Sequence, residues 1–463
     1  MKKLLITILP IIVIFNSALS QINWTKHTID RSFIGAWCPF GIDLDHDNDI
    51  DILGSAYTGN ELAWWENDGN QNFTKHIFAA GNDGALAIRA IDLDRDGDID
   101  ILSVAHWLET ISWWENDGEQ NFIEHIIEQD YYGSHYIFAI DMDSDKDLDV
   151  LGTSTLGGDV TWWENNGEQV FTKHIIEDSS YGSRCITAAD IDGDDDIDVF
   201  TAAEFGDKLS WWENTGDQEF VQHDIEDNYP AFWVEVLDMD SDGDLDILGC
   251  SNLSPDGDLS WWENDGYQNF VKRTIDINSD GSQAIYSADL DSDGDIDVLV
   301  ASRFTDMLAW WENDGDQNFV KHTIEDSYNY ASGVFAIDID LDGDIDVLAT
   351  SYGANDISWW ENDLVTEISD SENIPLSSFA LSRNYPNPFN ATTVIRYNLP
   401  EESNVTIRIF DILGRRVETL VEGEKQAGHH QVIWDADGVS SGVYFYKIQA
   451  GDFTETKRMV FLR

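Results

Sequence analysis

Two short motifs alternate along this 463-residue chain, and each occurs seven times. The first puts aspartate at every second position of nine residues, as in "DLDRDGDID" from Asp92, and recurs from Asp43, Asp141, Asp190, Asp238, Asp289 and Asp338. The second, "WWEN", begins at 64, 113, 162, 211, 261, 310 and 359. Successive aspartate motifs start 49, 49, 49, 48, 51 and 49 residues apart. A fixed period near 50 excludes an ordinary single-core domain and leaves a propeller or a solenoid. Within one unit the apolar pattern predicts four short strands. In the second, "ALAIRAI" enters the aspartate loop, "IDILSVA" leaves it, "TISWWEN" follows, and "NFIEHII" closes after a DG turn. Four strands per unit make one propeller blade.

The ends of the repeat region decide between ring and solenoid. Every "WWEN" except the last is followed by a fourth strand, whereas after residue 363 the chain runs into "LVTEISDSENIPL". The missing strand stands at the other end, as "INWTKHTI" at 22–29, so the N-terminal strand is expected to complete the last blade. Residues 21–363 span 343 positions, seven periods of 49. The fold expected is all-β: a seven-bladed β-propeller over 21–363, a linker over 364–380, and a second domain over 381–463.

Ninety acidic against 25 basic side chains give a net charge of −65, which makes nucleic acid a poor partner. Such a charge alone would suggest disorder, but 42% hydrophobic content and 19 tryptophans supply a sizeable core. Residues 1–20, "MKKLLITILPIIVIFNSALS", read as a secretory signal peptide: Lys2 and Lys3, an apolar run to Phe15, then Ala18 and Ser20 spaced for cleavage. That apolar run, interrupted by Pro10, falls short of the roughly 20 residues a spanning helix needs, so no transmembrane segment is expected after removal of the signal. Cys38, Cys185 and Cys250 are too few for a disulfide framework.

The aspartate loops demand a counter-charge. Oxygen ligands at positions 1, 3, 5 and 9, with the backbone carbonyl of position 7, suit a hard cation, and a flexible carboxylate-rich cage suits calcium better than magnesium. The candidate ligand residues are Asp43, Asp45, Asp47, Asp49 and Asp51; Asp92, Asp94, Asp96, Asp98 and Asp100; Asp141, Asp143, Asp145, Asp147 and Asp149; Asp190, Asp192, Asp194, Asp196 and Asp198; Asp238, Asp240, Asp242, Asp244 and Asp246; Asp289, Asp291, Asp293, Asp295 and Asp297; Asp338, Asp340, Asp342, Asp344 and Asp346. Up to seven structural calcium ions are expected. Position 6 wants positive φ, which Gly97, Gly243, Gly294 and Gly343 supply and Asn48 and Asp195 tolerate; Lys146 departs from the pattern. The DxDxDGxxD loop at this period resembles the FG-GAP and VCBS calcium-propeller repeats, to which integrin α-subunit heads are related. The resemblance covers about three quarters of the chain and implies extracellular binding, adhesion or, in some members, polysaccharide degradation.

Paired tryptophans can serve as sugar-stacking platforms. Here they recur identically in all seven units, and a blade is covered on both faces, so both members of each pair are expected in the core. The fourth-strand histidines, His27, His76, His125, His174, His223 and His322, with Arg273 in the remaining unit, read as packing or pairing residues. Ligand binding is expected where the units disagree. The loops after strands two and four lie opposite the aspartate turns, and they carry Trp37, Trp107, Tyr131, Tyr132, His135, Tyr136, Trp233, Tyr328 and Tyr330. At one first-strand position Arg89 and Glu235 replace aromatic residues, marking either a channel site or a salt-bridged pair.

Residues 381–463 carry ten basic and ten acidic side chains, so the charge imbalance belongs to the propeller. Alternating runs such as "NVTIRIFDI" and "GVYFYKIQA" predict a small Ig-like β-sandwich. The stretches "NYPNPFNATTVIRYNLP", "IFDILGRRV" and "GVSSGVYFYKI" resemble the type A C-terminal sorting domain of type IX secretion. That resemblance implies recognition by the secretion machinery, passage through the periplasm, and release or attachment at the outer surface.

Two function classes remain: a non-catalytic binding or adhesion module for a glycan or protein, and a polysaccharide-degrading hydrolase or lyase. An enzyme should gather unrepeated polar residues in one pocket. Glu204, Lys208, Arg184, His135 and Glu235 are available, but no spacing groups them, so a monomeric binding module with no catalytic residues is the favoured expectation.

Overall fold

The computed structural model describes residues 21–365 apart from 217, 254 and 256, and in the C-terminal region 379–385, 392–400, 403–411, 415–436, 439, 442–451 and 453–461. Residues 1–20, for which a signal peptide is expected, and most of the linker lie outside these residues. The chain divides into two compact units, the first covering Ile22–Leu364.

That first unit is a seven-bladed β-propeller. Its strands form seven antiparallel four-stranded sheets, six of them built from consecutive strands. The blade running from Ser134 to Glu177 is typical. Its strands Ser134–Ile140, Asp149–Ser154, Val160–Asn165 and Phe171–Glu177 pair in chain order. The seventh sheet takes its outer strand from Gln21–Asp30, beside Asp356–Val365. First strands of neighbouring blades contact one another all the way round, including Ala36–Ile42 against Ala331–Ile337, so the ring is closed and these strands line its axis.

All fourteen tryptophans of the "WWEN" motifs are buried. Opposite faces of one strand carry the two rings, and neighbouring blades cover both faces. Each ring buries about 200 Å² and contributes on the order of 5 kcal/mol of hydrophobic free energy before entropy. The first of each pair stacks on the fourth-strand histidine, as Trp113 does on His125 at 4.6 Å, and that histidine bonds the glutamate of the same motif, His125 to Glu115 at 2.7 Å. His27 makes the same contacts across the closure, stacking on Trp359 at 4.5 Å and bonding Glu361 at 2.7 Å. Arg273 keeps the link to Glu263 at 2.6 Å. The six histidines and the arginine are thus pairing residues that tie the outer two strands of every blade.

The C-terminal unit holds two antiparallel sheets. One orders Ala380–Tyr385, Thr392–Leu399 and Gly428–Asp435; the other orders Arg416–Lys425, Ser403–Asp411, Gly442–Ala450 and Phe453–Phe461. Their inner faces share one core containing Ile395, Ile407, Trp434 and Tyr446, the arrangement of a small sandwich.

Candidate functional site

Each aspartate loop is built by hydrogen bonds to its own carboxylates. In the second, the Asp96 N–H donates to Asp94 Oδ1 at 3.1 Å and the Asp98 N–H to Asp96 Oδ1 at 2.9 Å. Position 9 locks the loop to the third strand. The Leu93 N–H donates to Asp100 Oδ2 at 3.1 Å, the Asn116 N–H to Asp100 Oδ1 at 2.9 Å, and the Asn116 side chain returns a bond to the Ile99 carbonyl at 3.0 Å. The asparagine of "WWEN" is therefore a clamp on the loop, a role that its sequence position did not disclose. Burial pushes the position-9 carboxyls up, to about 6 at Asp100, about 7 at Asp51, Asp149, Asp198 and Asp246, and about 8 at Asp297 and Asp346, against the opposing pull of these N–H bonds.

Ligand-capable oxygens converge. In Asp43, Asp45 and Asp51, in Asp141, Asp143 and Asp149, and in Asp238, Asp240 and Asp246, the carboxylate oxygens of positions 1, 3 and 9 lie within 4.8 Å of one another. Positions 1, 3 and 5 do so in Asp92, Asp94 and Asp96 and in Asp190, Asp192 and Asp194. Position-1 Oδ1 atoms of Asp43, Asp92, Asp141 and Asp238 are buried with no hydrogen-bond partner, an arrangement that fits a cation and that an empty acidic turn would not favour. Position-7 side chains point elsewhere. Asp49, Asp98, Asp147, Asp196, Asp244 and Asp295 lie over the glycine of the turn that follows "WWEN", so close that a Cβ on Gly69 would stand 2.5 Å from Asp49 Oδ2. Only the backbone carbonyl of position 7 remains for a cation. Lys146 takes φ +83° all the same, its N–H donating to Asp141 Oδ2 at 2.9 Å, so the third loop keeps the common path. Position 4 is left-handed as well, from His46 at 61° to Leu341 at 62°, a second turn the residue types did not signal.

The opposite rim differs blade by blade. Trp37 lies 5.5 Å from Tyr57 and 5.9 Å from Tyr352; Tyr57 lies 6.2 Å from Trp107, and Tyr352 lies 5.0 Å from Tyr330. The Arg303 guanidinium sits over both Tyr330, at 4.7 Å, and Phe304, at 4.6 Å. These residues form a continuous aromatic arc, with Trp107 57% exposed. Tyr132 is exposed in the next blade, and Tyr181 pairs with Phe205 at 5.7 Å. Tyr57, Tyr352, Tyr181, Phe205 and Phe304 were not singled out in the sequence. Tyr57, Tyr352, Phe205 and Phe304 occupy the two residues after the second strand, where the repeats diverge most.

Other rim candidates move inward. Tyr131 and Tyr328 are 1% and 2% exposed and donate to the carbonyls of Gly152 and Ala349, each at 3.0 Å. They stand edge-on to Trp163 and Trp360 as core residues and correct the expectation of a binding role. His135 is buried and donates from Nδ1 to the Arg184 carbonyl at 2.7 Å. Tyr136 and Trp233 meet edge to face at 5.0 Å on the wall of the axial channel. Of the five polar candidates for catalysis, His135, Arg184 and Glu204 form one contact chain, whereas Lys208 and Glu235 do not join it. Arg184 pairs with Glu204 at 2.7 Å, Lys208 with Asp224 at 2.7 Å, and Glu235 lies in the channel.

Comparison with known families bears on both units. An FG-GAP-like repeat matches at residues 43–103, 141–201, 190–249 and 289–349, and a secretion system C-terminal sorting domain matches at 383–462. The chain carries FG-GAP-like repeats and a type IX sorting domain. That domain directs secretion to the cell surface or beyond it. No helix among the described residues is long and apolar enough to cross a membrane. Among solved structures, a streptogramin B lyase is 11% identical over 74% of this chain and 98% of its own, with a TM-score of 0.53, and shares the fold alone. PorZ, a type IX surface component of Porphyromonas gingivalis, is 14% identical over 89% of this chain and 58% of its own, at a TM-score of 0.43. No curated protein sequence matches the chain.

Proposed function

We infer that this secreted propeller is a non-catalytic binding module, stiffened by calcium in its aspartate loops, that holds a glycan on its variable rim. The observation that carries the binding role is the aromatic arc from Trp107 through Tyr57, Trp37 and Tyr352 to Tyr330. Rings at this spacing offer stacking area to the apolar faces of sugars, with little side-chain entropy to lose. The acidic body repels polyanions, so a neutral glycan is the ligand best suited to the rim. Binding over hydrolysis is supported by the engagement of Arg184 and Glu204 in a mutual ion pair and of Lys208 in another with Asp224, which occupies their charges. Calcium is supported by the converging carboxylates and by the four buried position-1 oxygens that lack a protein partner. The module acts as a monomer, delivered by the type IX machinery.

A glycan array probed with the full chain in calcium, run beside a hydrolysis assay on each glycan bound, tests this. Replacing Trp107, Tyr330 and Tyr352 together with alanine should weaken binding about a hundredfold, since each stacking contact is worth about 1 kcal/mol. Tyr267→Ala, which removes an 81% exposed ring on the aspartate face, should leave binding intact. Product release from a bound glycan, or full binding by the triple variant, would overturn the assignment.

A further inference from the structure

The first strands of the blades enclose a cavity of about 350 Å³ on the propeller axis. It is lined by the second to fifth residues of these strands, the half nearest the variable rim, where a β-bulge follows the first residue of every strand. Its wall is aromatic and aliphatic, including Phe40, Phe138, Tyr286 and Phe335. Arg89 and Glu235 are its only lining residues of type Asp, Glu, Lys or Arg. They belong to the second and fifth blades, and no ion pair within 4.0 Å joins them among the described residues.

Arg89 is placed for an anion. Its Nη1 donates to the Ile88 carbonyl at 2.8 Å and to Cys38 Sγ at 3.6 Å, and its Nη2 donates to the Tyr136 hydroxyl. Those neutral partners, with the Tyr136 ring 4.8 Å beneath the guanidinium, fix its orientation without a direct ion pair, and Glu235 acts on it only from beyond 4.0 Å. One Nη2 proton and the Nε proton stay available. Glu235 accepts from the Ser287 hydroxyl at 2.8 Å, and burial pushes its carboxyl up to about 7. The groups facing it are Arg89, Tyr286, Cys185 and Cys250. When Glu235 is protonated, the well contains one cation in an apolar chamber.

We propose that this axial well is a second binding site, adjoining the rim at Trp37, for a small monocarboxylate with a planar apolar body, whose carboxylate engages Arg89 while its body lies against the aromatic wall. A volume of about 350 Å³ is at the lower end of ordinary ligand pockets and suits a molecule of one or two rings. A charge-assisted contact in such surroundings is strong, and a neutral isostere forfeits it.

The probe pair is indole-3-acetate and its neutral amide, titrated calorimetrically into the full chain in calcium at pH 6. The acetate should bind saturably and the amide about ten- to hundredfold more weakly, the range expected for one charge-assisted bond. Arg89→Met should abolish the preference, and Arg89→Lys should restore part of it. Thr187→Trp, which fills the well from another blade, should remove binding of both probes without lowering the calcium-dependent melting temperature. Acetate affinity should fall several-fold between pH 6 and pH 8 as Glu235 ionises, and Glu235→Gln should flatten that profile. Equal binding of acetate and amide, acetate binding unaffected by Thr187→Trp, or no binding of either probe would each overturn the proposal. The rim triple variant at Trp107, Tyr330 and Tyr352, none of which lines the well, should leave these outcomes unchanged.

Discussion

Removal of the divalent cation is the perturbation with the largest expected effect. Three carboxylates whose oxygens lie within 4.8 Å repel one another pairwise by about 3.5 kcal/mol at an effective dielectric near 20, or about 10 kcal/mol per ionised loop. A cation bound at about 10 µM in about 1 mM free calcium contributes about 2.7 kcal/mol per site, so seven sites contribute about 19, more than the 5 to 15 typical of a folded domain. With about 2.1 cal/mol/K of unfolding entropy per residue over the Ile22–Leu364 unit, one site is worth about 4 °C in melting temperature. Differential scanning calorimetry in calcium and in excess chelator should therefore show a loss of more than 20 °C, or no transition at all. Single variants resolve the ligand set. Asp92→Asn should lower the calcium stoichiometry from seven to six and melting by about 4 °C, because a buried position-1 oxygen faces the cluster. Asp98→Asn should leave the stoichiometry at seven, because that side chain lies over Gly118. An unchanged melting temperature in chelator would refute the cation assignment, and equal loss of calcium in both variants would refute the placement of position 7.

Deleting residues 22–29 strips the outer strand from the last blade along with the His27 stack on Trp359, leaving Asp356–Val365 as an open edge; size-exclusion chromatography should then show strand-exchanged oligomers or aggregate, and a stable monomer would refute closure. Removing 383–462 should leave a folded propeller held in the periplasm of a type IX-competent host, detected by fractionation; normal surface delivery would count against the sorting role.

The blades were legible because every one must bury the same pair of rings and turn the same loop, which forces identical residues every 49 positions. Loop backbone was less legible, since φ at Asn48, Arg95 or Lys146 is set by carboxylates that collect N–H groups and not by the residue that adopts it. A left-handed lysine costs on the order of 1 kcal/mol, and the bond from its N–H to Asp141 offsets much of that. Loop aromatics misled for another reason. Tyr131 and Tyr132 are neighbours, yet one is 1% and the other 54% exposed. The distinction is present in the repeats: Phe33, Tyr229 and Tyr328 stand where Tyr131 does, all four buried, whereas Ile34 and Tyr181 stand where Tyr132 does and are exposed.

Seven-fold repetition secures the ring but cannot discriminate among ligands, since a surface presented seven times over has no unique site on it. Discrimination requires positions that bear no scaffold load. The structure offers two sets. After the second strand Tyr57, His106, Thr155, Glu204, Asn252, Arg303 and Tyr352 occupy one equivalent place, and on the axis Phe40, Arg89, Phe138, Thr187, Glu235, Tyr286 and Phe335 occupy another. Neither set takes part in the loop clamps or in the tryptophan stacks, so the two can vary without unseating a blade. Both face the end opposite the aspartate loops, which places the cation chemistry and the recognition chemistry on separate faces. Changes confined to the rim or the well should therefore alter ligand affinity at constant calcium affinity, and changes in the aspartate loops should act on binding only through stability.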